Sequence, residues 1–494
     1  MAYVHFERLS ALDLSFLAVE DGQAHMHIGS VSIFDAAPLR LDDGALDFER
    51  ILSFIESQLH KVPRLRQRIE WVPAFGQPVW VDDSRFNLRY HVRHTALPAP
   101  GGERQLKRLA GRILSQEFDR GKPLWEYWFV DSLEGDRFAL IAKLHHCIAD
   151  GISGVEMANM LVGADPDYRP PPRTEWSPRP APSASQLVLR ELRHRLGLPL
   201  QLLRAATSGG EGREAEAGPG LAEGFRNMVD LVSSARGGSD TPLNMEVGPH
   251  RRFDWTRLSF ETVYAVGASA GGTVNDVVLA VASGALRSFL RRRAVPVDQI
   301  DFRAAVPVSV RRPSEQKSLG NRVSSLMVRL PLDEPDPWQR LLRVIDTTHE
   351  LKASGQSGGG ELMAQLADVL PARLQIPLFR SLGRNLGANV IITNVPGVRV
   401  PVYLLGARQL ATYPVVPLAA NQALGIALLS YDQGLFWGFN ADWDAVPDLH
   451  DLVLAVDECF EQLRESAGVK PEAQAPPPVL APEGGDETRP TGGG

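Results

Sequence analysis

The stretch Phe138-Ala139-Leu140-Ile141-Ala142-Lys143-Leu144-His145-His146-Cys147-Ile148-Ala149-Asp150-Gly151 constrains what this chain can fold into more than any other. Its first five residues form an unbroken apolar run, the pattern of a buried strand. Ser153-Gly154-Val155-Glu156 then has capping-box spacing, and Ile152, Val155, Ala158 and Leu161 recur at helical intervals. The expected unit is strand, tight turn and helix. Two histidines fall in the turn, where a rigid scaffold presents side chains to a substrate.

Proton removal is the chemistry such a turn suggests. An imidazole titrates near neutrality, so one ring of His145-His146 can take a proton from an attacking hydroxyl or amine. On residue types alone the pair is equally a polar patch, and Asp150 equally a helix N-cap. A metal centre is not expected, because adjacent side chains diverge and no third ligand lies nearby. His25 with His27, and His91 with His94, have chelating spacings, but no cysteine or acid cluster completes them.

The His145-His146-x-x-x-Asp150-Gly151 pattern resembles the signature of the CoA-dependent acyltransferase superfamily. The wider chain resembles one branch, the bacterial wax ester synthase/diacylglycerol acyltransferase family. Leu9-Ser10-Ala11-Leu12-Asp13 and Met26-His27-Ile28-Gly29 are similar to its opening segment, and Pro123-Leu124-Trp125-Glu126 to its Pro-Leu-Trp motif. Thr273-Val274-Asn275-Asp276-Val277 resembles its Asn-Asp motif. Pro307-Val308-Ser309-Val310-Arg311 and Thr393-Asn394-Val395-Pro396-Gly397 resemble later blocks. These segments run in family order from near residue 9 to near residue 450. Phe436 to Asp444 is a modified form of a last block, expected as late strand and turn.

The resemblance implies transfer of a fatty acyl group from acyl-CoA to an alcohol. Diacylglycerol is the first choice of acceptor and a long-chain alcohol, giving a wax ester, the second. It assigns His146 as general base, His145 as its support, Asp150 as a structural residue held by Arg311, and Asn275 as a hydrogen-bond donor. Gly151, Pro123, Leu124, Trp125 and Asp276 support the motifs. No acyl-enzyme is required and no cofactor is implied, acyl-CoA being a co-substrate. Asn275 has an alternative in helix capping, since Thr273 and Asp276 have capping-box spacing before Val278, Ala282, Leu286 and Phe289. The implied fold is α/β (α+β): two chloramphenicol-acetyltransferase-like sandwich domains with mixed, largely antiparallel sheets and a channel between them.

Two readings compete. Gly267-Ala268-Ser269-Ala270-Gly271 fits the nucleophile elbow of serine hydrolases, with His349 and His450 downstream, although Gly271-Gly272 and Thr273 delay the helix that should follow at once. A condensation-type or non-catalytic lipid-binding relative is the other.

The chain divides by composition into residues 1–164, a linker over 165–241, a second domain over 242–466, and a tail over 467–494 expected to be disordered. Helices are expected over Phe48–Leu59 and Leu106–Phe118, strands over Ser30–Phe34, Leu88–Val92 and Ala388–Ile392, and a type II turn at Pro396-Gly397. In the linker, Leu189, Leu192 and Leu196 alternate with arginines as a basic amphipathic helix, either docked on its own protein or lying in a membrane interface. Leu221, Phe225, Met228 and Val232 form a second such stripe.

Among the 494 residues, 44% are hydrophobic and 22% charged, the balance of a core-forming globular protein. A net charge of −7 argues against nucleic acid as a partner. Cys147 and Cys459 give no disulfide framework. The N-terminus has no signal-peptide pattern, and no run of eighteen apolar residues occurs. A cytoplasmic protein follows, peripheral at most on the inner face of the plasma membrane or a lipid droplet. The oligomeric state is left open.

Overall fold

The computed structural model describes residues 5–149, 160–171, 175–207, 238–309, 323–353, 372–384 and 387–470. In its first part the chain runs β1 (Glu7–Arg8), α1 (Ala11–Val19), β2 (His27–Asp35), α2 (Phe48–Gln58), β3 (Gln67–Trp71), β4 (Pro78–Asp82), α3 (Leu88–His91), β5 (Val92–Ala96), α4 (Glu103–Leu114), β6 (Trp125–Leu133) and β7 (Arg137–His145). The long helix α5 (Ala184–Thr207) follows. The second part runs β8 (Arg251–Ser259), α6 (Phe260–Ser269), α7 (Val274–Arg292), β9 (Arg303–Ser309), β10 (Val323–Arg329), α8 (Pro337–Ala353), α9 (Ala372–Arg384), β11 (Val390–Val395), β12 (Tyr403–Leu404), β13 (Ala407–Val415), β14 (Leu424–Tyr431), β15 (Gly434–Asp442) and α10 (Leu449–Ser466).

Two six-stranded sheets carry the fold, ordered β12-β13-β2-β7-β6-β5 and β10-β9-β11-β14-β15-β8. The β5·β6, β11·β9 and β11·β14 pairs are parallel and the remaining pairs antiparallel, so both sheets are mixed and largely antiparallel. The first sheet is completed by the second part of the chain: β13 pairs with β2, Tyr413 opposite Val31 and Val415 opposite Gly29.

The period-two alternation of β7 places the site. Phe138, Leu140 and Leu144 enter the core shared with α2, β2 and β6. Ala139 and Ile141 face a second core that joins α4 to Phe253 and Trp255 of β8. Lys143 and His145 continue that second row, so they point to the seam between the two parts. Gly29 on β2 is required by close approach, since a Cβ there would stand 1.8 Å from the Ala142 carbonyl oxygen.

Some expectations change. Leu88–Val92 is not a strand: Asn87 caps the single turn α3 through the Arg89 N–H, and extended backbone begins only at Val92. The turn directs His91 inward, where Nδ1 lies 2.8 Å from the Trp125 carbonyl oxygen. The helix expected to reach Phe118 ends at Leu114. Ser115 Oγ donates to the Gly111 carbonyl, and the Lys143 ammonium takes those of Ile113 and Gln116 at 3.3 and 2.9 Å. Gly397 is absent from the left-handed φ region a type II turn needs. It is glycine because a Cβ would meet the Ser430 carbonyl oxygen at 2.2 Å.

Helix α5 docks and yet leaves an apolar row outside. Leu187 is buried against Val72, Val79 and Val81, and buried Glu191 pairs with Arg8 and Arg195. The predicted leucines are on the other side: Leu189, Leu192 and Leu196 are 49%, 43% and 66% exposed. The stripe over 221–232 lies outside the described residues, as does the tail beyond 470. Among the described residues no single helix is long and apolar enough to cross a membrane.

Candidate active site

Strand β7 ends at His145 and a 3₁₀ turn over His146–Ala149 follows. Its backbone is held from two sides. The His145 N–H donates to the Leu124 carbonyl at 2.9 Å, and the His146 N–H to the Met26 carbonyl at 2.8 Å. The Pro-Leu-Trp motif therefore acts as a backbone clamp. Trp125 is anchored in turn by its indole N–H on the Leu65 carbonyl at 2.7 Å, and its N–H reaches the Pro123 carbonyl at 3.0 Å.

The two rings diverge. His145 is buried, and its Nδ1 accepts the Cys147 N–H at 3.1 Å, which assigns the ring proton to Nε2. Nε2 faces Glu20 Oε2 at 3.3 Å. The His146 ring is half-buried and stacks on Phe16 of α1, centroids 3.8 Å apart. Its Nδ1 is enclosed and bonds to no other described residue. Burial lowers His146 to about 4; its own backbone carbonyl opposes that shift and His145 adds to it. The ring is thus unprotonated at neutral pH, the form a base requires.

Glu20 is the buried carboxylate at the centre of the site. It forms the C-cap of α1, its N–H closing on the Phe16 carbonyl. Oε2 also pairs with Arg120, and Oε1 accepts the Met26 N–H at 3.4 Å and lies 4.0 Å from His27 Nε2. Burial would raise this carboxyl, but the contacts with His145 and Arg120 outweigh it and hold Glu20 at about 2. An unpaired buried carboxylate would be costly; this one is compensated on both oxygens.

Around it, the cations and rings belong to the scaffold. Lys143 is fully buried, capping the carbonyls that end α4, with Glu126 at 3.5 Å and the Phe118 ring beneath it. His25 and His27 stack on each other at 5.1 Å, and His27 Nδ1 lies 3.3 Å from the Leu114 carbonyl oxygen. His94 stacks on Phe48. The chelating spacings in the sequence thus resolve into stacked or carbonyl-bonded rings. Cys147 is buried in the core, and burial pushes its thiol well above the usual range. A thiolate nucleophile there is disfavoured.

The structure brings Pro123, Leu124, Trp125, His145 and His146 together. Asp150, Gly151 and Arg311 lie outside the described residues. Asp276 is fully buried and closes a capping box on Thr273, accepting its N–H and hydroxyl at 2.8 and 2.7 Å and the Thr348 hydroxyl at 2.7 Å. Asn275, its neighbour, is half-buried, and no described contact joins it to His146. Ser269 is the last residue of helix α6, its hydroxyl donating to the Val266 carbonyl at 2.8 Å. A helix precedes it where an elbow needs a strand, so it is not a nucleophile elbow.

Phe16 and Glu20 escaped the reading of the sequence. Phe16 and Glu20 lie between two recognisable blocks, Leu9–Asp13 and Met26–Gly29, and an isolated glutamate after an apolar helix carries no spacing signal of its own.

Residues 9–278 match the wax ester synthase/diacylglycerol acyltransferase catalytic domain, and residues 319–464 the WS/DGAT C-terminal domain. The chain is 31% identical over 459 residues to the Mycobacterium tuberculosis H37Rv protein named "Probable diacyglycerol O-acyltransferase tgs1", covering 92% of this chain and 95% of that one. A second protein of that strain, named for the same activity, is 33% identical over 476 residues, with 94% and 97% covered. The solved wax ester synthase/diacylglycerol acyltransferase from Marinobacter aquaeolei VT8 superposes with a TM-score of 0.67 at 25% identity, covering 94% of this chain and all of that one. The first condensation domain of the CDA synthetase shares the fold, with a TM-score of 0.53 at 18% identity and 94% and 97% covered.

Proposed function

This chain belongs to the wax ester synthase/diacylglycerol acyltransferase family, and from that premise we propose that it moves a fatty acyl group from acyl-CoA to diacylglycerol with His146 as general base. The observation that carries the reading is the placement of that ring: directly after the end of β7, half-buried against Phe16 and unprotonated at neutral pH. With Nδ1 enclosed, Nε2 is the nitrogen left for the substrate.

The acceptor hydroxyl gives its proton to Nε2 as its oxygen attacks the thioester carbonyl. The carbon–sulfur bond then breaks, and the same proton passes to the departing CoA sulfur. A thiol pKa of about 8.5 makes that sulfur a far better leaving group than an alkoxide, so no acyl-enzyme intervenes. Asn275 is assigned as a donor to the substrate, and Asp150 and Arg311, outside the described residues, keep the structural role that the family resemblance implies. Acyl-CoA is consumed as co-substrate, with no further cofactor. The names of the M. tuberculosis relatives favour diacylglycerol. The Marinobacter neighbour, named for both activities, keeps a long-chain alcohol as the second acceptor, served by the same base.

Both acceptors are lipids, and the exposed row Leu189, Leu192 and Leu196 beside Arg193 fits a membrane or droplet surface. The reaction is tested with purified protein and labelled palmitoyl-CoA, incubated with diacylglycerol, with hexadecanol, and with neither. Triacylglycerol formation lost in His146→Ala supports the reading. Full activity in that variant overturns it, and free fatty acid without acceptor would identify a thioesterase.

A further inference from the structure

Two backbone N–H groups define where the His146 ring sits, its own and that of Cys147. Each is tied to Glu20 through one intermediary. The His146 N–H donates to the Met26 carbonyl, while the Met26 N–H donates to Glu20 Oε1. The Cys147 N–H donates to His145 Nδ1, while the opposite nitrogen of that ring faces Glu20 Oε2. The same residue caps α1 on the Phe16 carbonyl, and Phe16 is the ring against which His146 lies.

We propose that Glu20 is a positioning residue for acyl transfer, setting through Met26, His145 and the end of α1 the pose of the His146 ring. This rests on the reading of His146 as the base. Glu20 touches no reacting atom in this scheme. Its work is geometric: a displacement of the base by about 1 Å is enough to cost on the order of a hundredfold in rate.

The alternative role is simple counter-charge for Arg120. That partner is 50% exposed and can be solvated without help, whereas Glu20 is buried and has both oxygens engaged. Engagement of both oxygens is what separates a clamp from a counter-ion. A clamp needs the length of the side chain as well as its charge.

Four full-length variants decide between them. Glu20→Asp keeps the charge but shortens the reach, and Glu20→Gln keeps the reach but leaves only one acceptor oxygen. Arg120→Met removes the ion pair without touching the turn, and His146→Ala removes the base. Positioning predicts kcat lower by about tenfold or more in both Glu20 variants. The KM for palmitoyl-CoA should stay within about twofold of the parent, because the substrate site is untouched. Arg120→Met should retain most of the parent kcat. Parent-like kcat in Glu20→Asp overturns the proposal, as does a loss in Arg120→Met equal to that in Glu20→Gln. Should one Glu20 variant fail to fold, the other still reports the split between kcat and KM. His146→Ala inactive beside a fast Glu20→Asp sinks the positioning role alone; an active His146→Ala sinks both.

Discussion

The imidazole of His146 lies nearly flat on the ring of Phe16, centroids 3.8 Å apart and planes inclined by 21°. One face of that imidazole is thereby closed to water by an apolar neighbour on α1. The stacking also restricts the ring's rotation, so its orientation and its low basicity share a physical origin.

Activity should therefore persist into acid. With His146 as the proposed base, the active form is the unprotonated ring, and a value near 4 keeps it populated well below the usual 6.5. kcat/KM measured from pH 5.5 to 7.5 should be nearly flat. In Phe16→Ala the exposed ring should move back toward 6.5, and the rate at pH 5.5 should fall up to about tenfold relative to pH 7.5. An unchanged profile in the variant would remove Phe16 from this role.

Stability should move in the same pH range, with a definite sign. His25, His27, His91 and His146 are all lowered from 6.5 in the folded protein, burial being the first cause in each. Between their folded values and 6.5 the unfolded chain binds more protons, so stability rises with pH and is fully present only above about 6.5. The contribution of His146 amounts to about 3 kcal/mol lost by pH 4. Urea midpoints should fall steadily from pH 7 to pH 5, and a rise would contradict the assignment.

The Asn-Asp motif should divide into a stability residue and a rate residue. Asp276→Ala removes the capping box and takes from the buried Thr348 hydroxyl its bond to Asp276, leaving it the Ile345 carbonyl, for a loss of about 1–3 kcal/mol in chemical denaturation. Asn275→Ala, half-buried and outside that box, should leave the denaturation midpoint near the parent's and lower kcat. Equal stability losses would make both residues structural.

Replacing Leu189, Leu192 and Leu196 together by serine should weaken binding to anionic phospholipid vesicles by at least about tenfold, since each leucine that enters lipid contributes roughly 1.5–3 kcal/mol. The thermal midpoint should not move, because the docked face carries Leu187 and Glu191 instead. Vesicle binding equal to the parent's would make α5 a connector only.

Much of the fold was legible because its signals are local. Phe138–Ala142 reads as a buried strand and lies inside β7; Thr273 and Asp276 have capping-box spacing and form the box. Leu88–Val92 misled because a cap at Asn87 outweighed a short apolar alternation, and local propensity there was too weak to settle the matter. The leucine row of α5 was visible as a row, but which side would dock depended on Val72, Val79 and Val81, more than a hundred positions away in the chain.

By itself, the sequence determined the strand, the turn and the paired histidines, since hydrophobic period and capping chemistry act between neighbours. The tertiary structure alone decided that β13 would complete the first sheet and that Glu20 would meet His145. Both are contacts between distant segments, chosen by which faces can be buried together and by where a buried carboxylate can be compensated.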